Sequence, residues 1–487
     1  MHSAASGANP WCGGFLYLLF MKKAVRWLLI VPLTFLLAGC ATYYQQSRIF
    51  QEYLQKGDLP EARKILIKQE KEAEGKNRFL YWCNRGWTEY MLGNYEESIR
   101  FFNQADLYVD DLTKNYGTEA LALVTNPGVK PYVPEDPEKV MVNYYKALAY
   151  MQLGRYDEAL VEARRIPQKL YELNDKYKNR KNRYSDDAFA HILTGLIYDA
   201  AGDANNAFIA YRNAIRVYDS VITPQFGIPI PEQLKLDVMR TAWLTGFQDE
   251  VSFFENKFGL KYQHLPLQGG YVVFFWENGL GPFKDEWSIM FTKVDGSGGW
   301  VTLVNNQLGM EFPVYVGSSN SKSNGAFSDL SVFRVAFPKY IQRWPLYSSA
   351  SIFDSSGTNS WPLYKAEDLN AILLKTLEDR MWREMAMGLA RLASKKALEA
   401  AVKEGDKNIG ALVGIINAAT EKADTRNWQT LPAEIHYTRL RLQEGKHTLR
   451  LRLEGNKGSR EITVPVEVKK GKTTFVNWRT LDFGGFR

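Results

Sequence analysis

Cysteine is nearly absent from this chain: 487 residues hold three, at positions 12, 40 and 83. So few cannot build a disulfide framework, and Cys83 has no neighbouring cysteine with which to hold zinc. Histidine is almost as scarce, with five residues, His2, His191, His264, His436 and His447. No two of them stand three or four apart, and no His-Glu-x-x-His occurs, so no helical metal site is expected. Neither a Gly-x-Ser-x-Gly elbow nor a phosphate-cradling Gly-x4-Gly-Lys-Ser/Thr loop is present. The sequence therefore offers no cofactor site. Charge of one sign is lacking too: +7 over this length is too mild to argue for nucleic acid. Past residue 40 no run is apolar enough for a membrane span. The uncharged stretch within 409–422 is about a dozen residues long, against the ~20 that a bilayer requires.

What is there begins with a basic flank, Met21-Lys22-Lys23 and Arg26, followed by the apolar segment Trp27 to Leu37. Basic, then apolar, then small residues is the order of a secretory signal peptide. Leu37-Ala38-Gly39-Cys40 resembles the lipobox of bacterial lipoproteins, in which the cysteine is acylated and becomes the new amino terminus. Two or three acyl chains, at roughly 0.8 kcal/mol per buried methylene, hold a protein stably on a membrane. The same segment left uncleaved would act as a signal anchor. The resemblance implies that Cys12 leaves with residues 1–39 and that Cys40 carries lipid. Cys83 then remains as a buried small apolar residue. Ala41 stands where an aspartate typically signals inner-membrane retention, so the resemblance implies a periplasm-facing outer-membrane protein. Met21 starts a complete signal by itself, and residues 1–20 are expected to be an upstream start-site artefact. Lys22, Lys23 and Arg26 account for three of the seven net positive charges, leaving +4 beyond them.

Residues 42–250 read as helix pairs whose small residues recur at matching offsets. The first unit carries Tyr53, Gly57, Leu59, Ala62 and Leu66. The second carries Trp82, Gly86, Gly93, Tyr95, Ser98, Phe102 and Ala105. The third carries Ala147, Tyr150, Gly154, Tyr156 and Ala159, and the fourth Gly195, Tyr198, Gly202, Ala207, Tyr211 and Ala214. The pattern resembles the tetratricopeptide repeat (TPR), in which small residues let paired helices nest and turn glycines end the first helix. Two insertions interrupt it. One, about Tyr116 to Pro137, is proline-rich and expected to be loop. The other, Lys169 to Arg183, is basic; it is expected to be a solvated helix extension, or else a contact for anionic head groups or an acidic partner. One further helix is expected from Glu232 to Phe258. His191 is expected to be packed rather than to bind a ligand.

Strands are expected at Tyr271–Trp276, Trp287–Lys293, Trp300–Val304, Phe312–Val316 and Ser331–Phe337, with exposed loops at 317–325 and 348–360. Helix returns at Glu367 to Lys403, where Leu369, Ile372, Leu373, Leu377, Met381, Met385 and Leu389 form one apolar stripe. A second helix, 409–422, places Gly410, Gly414 and Ala418 on one close-packing face. From Ala433 onward, alternation of Leu449, Leu451 and Leu453 with Thr448, Arg450 and Arg452 marks an antiparallel module, one face buried and one wet. The expected architecture is an α+β multidomain chain. It comprises a signal (1–39), a TPR-like α-solenoid (40–260), a central β-rich domain (265–362), a helical segment (363–422), and a linker with a small antiparallel β-module (423–487).

Two motifs, Val272-Val273-Phe274-Phe275-Trp276-Glu277-Asn278-Gly279-Leu280-Gly281-Pro282-Phe283-Lys284 and Ala423-Asp424-Thr425-Arg426-Asn427-Trp428-Gln429-Thr430-Leu431-Pro432, resemble an uncharacterised family of bacterial TPR outer-membrane lipoproteins. That resemblance implies an envelope protein in the company of other lipoproteins and carries no catalytic residues. The favoured function is accordingly a lipid-anchored scaffold whose concave surface holds a segment of a protein partner. The alternative is an enzyme or regulator acting on peptidoglycan, with Glu277, Lys284, Asp285 and Glu286 around a strand-end turn and two carboxylates as acid and base. Asp424, Arg426 and Trp428 are expected to form a junction that docks the last module. Their rival role is an exposed hot spot for a partner.

Overall fold

The computed structural model describes residues 43–114, 130–176, 183–297, 300–307, 309–315, 332–381 with 385 and 388, and 422–486. The lipobox Leu37–Cys40, most of the proline-rich insertion, the 317–325 loop, Leu389 and the small-residue face at Gly410, Gly414 and Ala418 lie outside them.

Among the described residues the helical part is built around five antiparallel hairpins: α1 (Arg48–Gln55) with α2 (Leu59–Lys68), α3 (Arg78–Met91) with α4 (Tyr95–Lys114), α5 (Asp136–Gln152) with α6 (Tyr156–Lys176), α7 (Ala188–Ala200) with α8 (Ala204–Val217), and α9 (Glu232–Leu244) with α10 (Gln248–Phe258). Each turns at a glycine of positive φ: Gly57, Gly93, Gly154, Gly202 and Gly246. The glycine N–H donates three residues back and the next N–H five back, as in Gly202 to Asp199 (3.1 Å) and Asp203 to Tyr198 (2.9 Å). This satisfies two carbonyls that the helix end would leave bare, and only the left-handed residue allows it. The single helix expected over Glu232–Phe258 is corrected to a fifth hairpin, because Gly246 makes the same turn as the other four.

Nesting of the paired helices follows from side-chain size. Gly86 sits beneath Phe102 and Gly195 beneath Tyr211, sixteen residues on in each case; a Cβ added there would stand 2.9 Å and 2.4 Å from the ring carbons. Ala147 and Ala163 keep the same offset in the third hairpin, and both are fully buried, as are Ala159 and Ala207. Trp82 is half-buried and packs edge-on to Tyr108.

The basic insertion is tied down at both ends. Lys169 on α6 pairs with Asp106 of α4, and Arg183 pairs with Asp379 (2.5 Å) and Glu378 (3.0 Å). Pro137, read as part of the first insertion, instead opens α5, where a missing N–H costs nothing.

The strands do not divide at the expected boundaries. β1 (Gly270–Asn278) lies antiparallel to β10 (Glu434–Leu442) and parallel to β13 (Thr473–Arg479). Adding β9 (Tyr364–Asp368) gives the sheet order β13-β1-β10-β9. A second sheet, β12-β11-β7-β8, combines β11 (Gly445–Gly455) and β12 (Gly458–Val468) with β7 (Ser349–Phe353) and β8 (Ser360–Pro362). The central and C-terminal β regions are thus one interleaved body, and the proposed separation of 265–362 from 423–487 is corrected. The reason lies in β1: Val272 to Trp276 are all essentially buried, so the strand needs cover on both faces and partners on both edges. Val272, Phe274 and Trp276 face the second sheet, while Val273 and Phe275 face the helices. Fully burying each of these side chains contributes roughly 1.5–3 kcal/mol.

Two further readings change. Residues 349–353, read as loop, form a strand with Ala350 and Ile352 buried. Glu367 and Asp368, read as the start of a helix, end β9. Asp368 instead caps the helix over 369–381 by accepting from the Ala371 N–H at 2.9 Å. A third sheet, β4-β3-β2-β5, is built from β2 (Phe283–Asp295), β3 (Trp300–Asn305), β4 (Met310–Tyr315) and β5 (Val332–Ile341). Its small core of Ile289, Phe291, Leu303, Val335 and Phe337 is closed by Met385. A short ribbon pairs β6 (Arg343–Pro345) with β14 (Phe483–Phe486).

Gly195→Ala tests the nesting. Alanine normally gains about 1 kcal/mol over glycine inside a helix. Here its methyl collides with Tyr211, so the variant is expected to lose about 1–3 kcal/mol, as overpacked cores do. Equilibrium denaturation reads the sign directly.

Candidate functional site

The first helix of each later hairpin turns toward the β body, and three buried charged clusters hold the two together. At the centre, the Glu277 carboxylate on β1 accepts from Tyr144 Oη (2.9 Å), Tyr145 Oη (3.1 Å), Asn477 Nδ2 (3.2 Å) and Arg479 Nη1 (2.8 Å). Neither charged side chain is more than 1% exposed. Arg479 donates its other terminal nitrogen, Nη2, to the Thr430 carbonyl at 3.0 Å and lies over the Trp87 ring. Toward α9, Arg439 of β10 binds Asp237 at 2.7 Å and Asp199 at 2.8 Å, with the Tyr211 hydroxyl at 3.0 Å. Burial opposes ionisation of Asp199, but Arg439 and Arg240 outweigh it and hold its carboxyl below the usual range. Toward the start of α5, Glu135 is clasped by Lys284 and Arg380. Burial alone would raise its pKa, yet the two cations bring it down to about 2.

The third cluster adjoins the segment 423–433, which runs without regular structure between array and sheet. Arg426 forks onto Asp424 (2.8 and 2.7 Å) and donates to the Lys130 carbonyl at 2.9 Å. Trp428 is 1% exposed and packs against Phe79, Phe102 and Tyr145 of α3, α4 and α5. Its backbone N–H donates to Glu138 and its indole N–H to Thr430, each at 2.6 Å. The segment is a buried strap, so these residues offer no exposed hot spot.

The acid–base arrangement of the alternative reading, around Glu277 and Asp285, is not what the structure builds. Glu277 lies inside β1 rather than at a turn, and its four donors occupy both carboxylate oxygens. Lys284 is 4% exposed and committed to Glu135. Glu286 accepts from Arg334 (2.9 Å) and from the Ala423 N–H (3.0 Å), and half-buried Asp285 accepts from the N–H of Glu286. These residues tie elements together. His191 is half-buried against Asp186 at 3.2 Å, and Cys83 is fully buried. Among the described residues no cluster of His, Cys, Asp or Glu could hold a metal ion, and no helix is long and apolar enough to cross a membrane.

The inner face of the array is therefore filled by its own chain. Tyr90, Tyr144, Tyr145, Phe189 and Asp237, one or more from each of α3, α5, α7 and α9, all touch the sheet. Among the described residues a groove of about 550 Å³ is open at the end of the array, between α8 and α10. Ile215, Phe253 and Phe254 form its apolar floor, and Arg212–Glu250 (3.4 Å) and Lys257–Asp219 (2.7 Å) pair across its rims. Phe253 is 58% exposed. Sequence reading missed this groove because it took α9 and α10 as one helix. Gly246, in step with the other turn glycines, was the available signal.

No protein-family model matches the chain, and no curated protein matches it. Solved structures similar to it are repeat proteins. MamA from Desulfovibrio magneticus is 16% identical, covering 43% of this chain and 89% of that one, with a TM-score of 0.27. A tetratricopeptide repeat protein from Parabacteroides merdae is 16% identical over 44% of this chain and 64% of that one, at 0.28. A Podospora anserina putative kinesin light chain with TPR-like repeats is 13% identical over 44% and 90%, at 0.29.

Two outcomes test the clusters. Arg479→Met leaves Glu277 buried without its cation, which costs about 3–5 kcal/mol, whereas adding Glu277→Gln to the same chain recovers most of the loss. Urea unfolding of the single and double variants measures both. Glu135 has a folded pKa of about 2 against an ordinary 4.5, so its stabilisation is complete above pH 4.5 and disappears as pH falls toward 2. The stability gap between wild type and Glu135→Gln, followed by fluorescence against pH, is expected to shrink over that window.

Proposed function

We propose that this protein is a lipid-anchored scaffold of the bacterial envelope, held through Cys40 on the periplasmic side of the outer membrane. In this reading it binds a segment of a protein partner in the groove between α8 and α10. The observation that carries the reading is the filled inner face. A helical repeat array commonly takes a peptide or helix in its groove, but here that place is taken by β1, β10 and β13. Among the described residues an apolar surface open to a partner lies at the end of the array. Terminal repeats need a polar outer face when they face only water, yet Phe253 stands half out of α10 beside Ile215 and Phe254. The partner segment that fits has one or two apolar anchors flanked by charges of both signs, to meet Arg212, Lys257, Asp249 and Glu250. The envelope placement rests on the lipobox Leu37-Ala38-Gly39-Cys40 and on Ala41 after it.

The test has two arms. Substitution of an exposed side chain ordinarily moves stability by no more than about 0.5 kcal/mol, so Phe253→Asp is expected to melt like wild type. Affinity purification from membranes, with mass identification, is expected to recover partners with wild type that Phe253→Asp loses. An unchanged partner set would reject the groove. A fatty-acid probe is expected to label wild type and not Cys40→Ala; unlabelled wild type would reject the anchor.

A further inference from the structure

Tyr43 stands three residues after Cys40 in the sequence and is already fixed in place. The Tyr43 N–H donates to Thr425 Oγ1 at 3.2 Å, and Ser47 Oγ donates to Gln429 at 3.0 Å. Both acceptors belong to the buried strap, so the start of the helical array is fastened to the middle of the molecule. Tyr44 stacks on Phe283 at 4.0 Å and 18°. Phe283 in turn meets Phe486 edge-on at 5.7 Å, and Phe483 lies 5.1 Å from Phe486. This aromatic group joins α1's leading end, β2 and the ribbon of β6 with β14. It is not sealed: Phe486 is 55% exposed, and Tyr44 and Phe483 are half-buried. Beside it the turn between β11 and β12 brings up Lys457, whose Nζ reaches the Gly484 carbonyl at 3.4 Å, and Arg460, which meets Asp482 at 3.4 Å. Both basic side chains are exposed.

We infer that this aromatic and basic face, centred on Phe486, Tyr44 and Lys457, lies against the lipid surface into which Cys40 is anchored. The inference rests on the lipid-anchor reading and adds to it the orientation of the body. Three residues span about 10 Å at full extension. A lipidated Cys40 therefore holds Tyr43 within about 10 Å of the acyl boundary, the depth over which interfacial side chains reach into a membrane. Tyrosine, with one polar and one apolar end, favours that boundary, exposed phenylalanine enters its apolar side, and lysine and arginine favour anionic head groups. The occupant is a bilayer and not a second protein chain because the tether length, set by Ala41 and Thr42 alone, leaves no room for a protein layer between anchor and face. With this face on the membrane, the groove at α10 stands at the opposite end of the array, open to the periplasm.

The full lipidated chain, reconstituted in vesicles of phosphatidylethanolamine and phosphatidylglycerol, tests the orientation. Phe486→Cys and, separately, Lys457→Cys carry an environment-sensitive dye, with Tyr171→Cys on α6, 74% exposed, as the reference. Lipids brominated near the head group are expected to quench the dye at 486 and 457 several-fold more than at 171, and high salt to weaken the effect at 457. Equal quenching at all three positions, in protein that carries fatty acid, overturns the orientation and leaves the anchor standing. Absence of fatty acid on the wild-type chain overturns the anchor and the orientation with it. Using two positions on different elements keeps the result readable if either variant folds poorly.

Discussion

A carboxylate with no exposed surface must have its counter-charge and donors in place before the chain can close around it. Glu277 draws those partners from α5, through Tyr144 and Tyr145, and from β13, through Asn477 and Arg479. They are separated from it by more than 130 residues in one direction and by at least 200 in the other. Moving such a pair out of water costs several kcal/mol per ion, and that cost is offset only when the geometry is complete. Array, sheet and C-terminal strand consequently cannot form as separate modules joined by linkers. They assemble as one unit, and the parallel β1–β13 pairing is the topological expression of that requirement.

The strap at 423–433 shows how much of the interior of this joint is hydrogen-bonded. An irregular segment usually runs over the surface because its backbone groups need water. Here Asn427 accepts the Lys284 N–H and donates to the Pro282 carbonyl, at 3.1 and 2.9 Å. Gln429 accepts from Ser47 and Gln51, and the Gly281 N–H donates to the Leu431 carbonyl at 2.7 Å. Arg343, fully buried, donates to the carbonyls of Gly281 and Gln429 and to Gln51; burial draws its pKa down to about 9. The polar sequence of the strap is thus the condition for its burial, which is why residues typical of a hot spot occur at a place no partner reaches.

Local order was legible in the sequence, and long-range order was not. The hairpins could be read from the paired small and large residues, and the outer strands from their alternation, because Leu449, Leu451 and Leu453 have one buried face. The sheet order could not, since it depends on which strand ends beside which cluster. One signal was present and under-read: Val272 to Trp276 is an unbroken apolar run, the mark of a strand covered on both faces. Glu277 and Lys284 were visible as charged residues beside that run. What hid their role is that a buried salt bridge and a solvated one have the same composition. What distinguishes them are partners remote in sequence, Tyr144, Tyr145 and Arg479 for Glu277 and Glu135 for Lys284.

An internal consequence concerns the helical array itself. In α5, Asp136 to Glu138, Val140 to Ala149 and Met151 are all buried, polar residues included. A helix enclosed on every side belongs to a core and not to a free-standing solenoid, whose helices keep one wet face. The β body is therefore the permanent occupant of the groove that other repeat arrays leave for a ligand. Two exposed phenylalanines stand at the two ends of the stack, Phe486 on the β body beside the first helix and Phe253 on α10. Because the array between them is packed against a sheet along its length, the distance and angle between these surfaces are fixed by the core. A partner seated at α10 would stand at a set height above whatever surface holds the first helix.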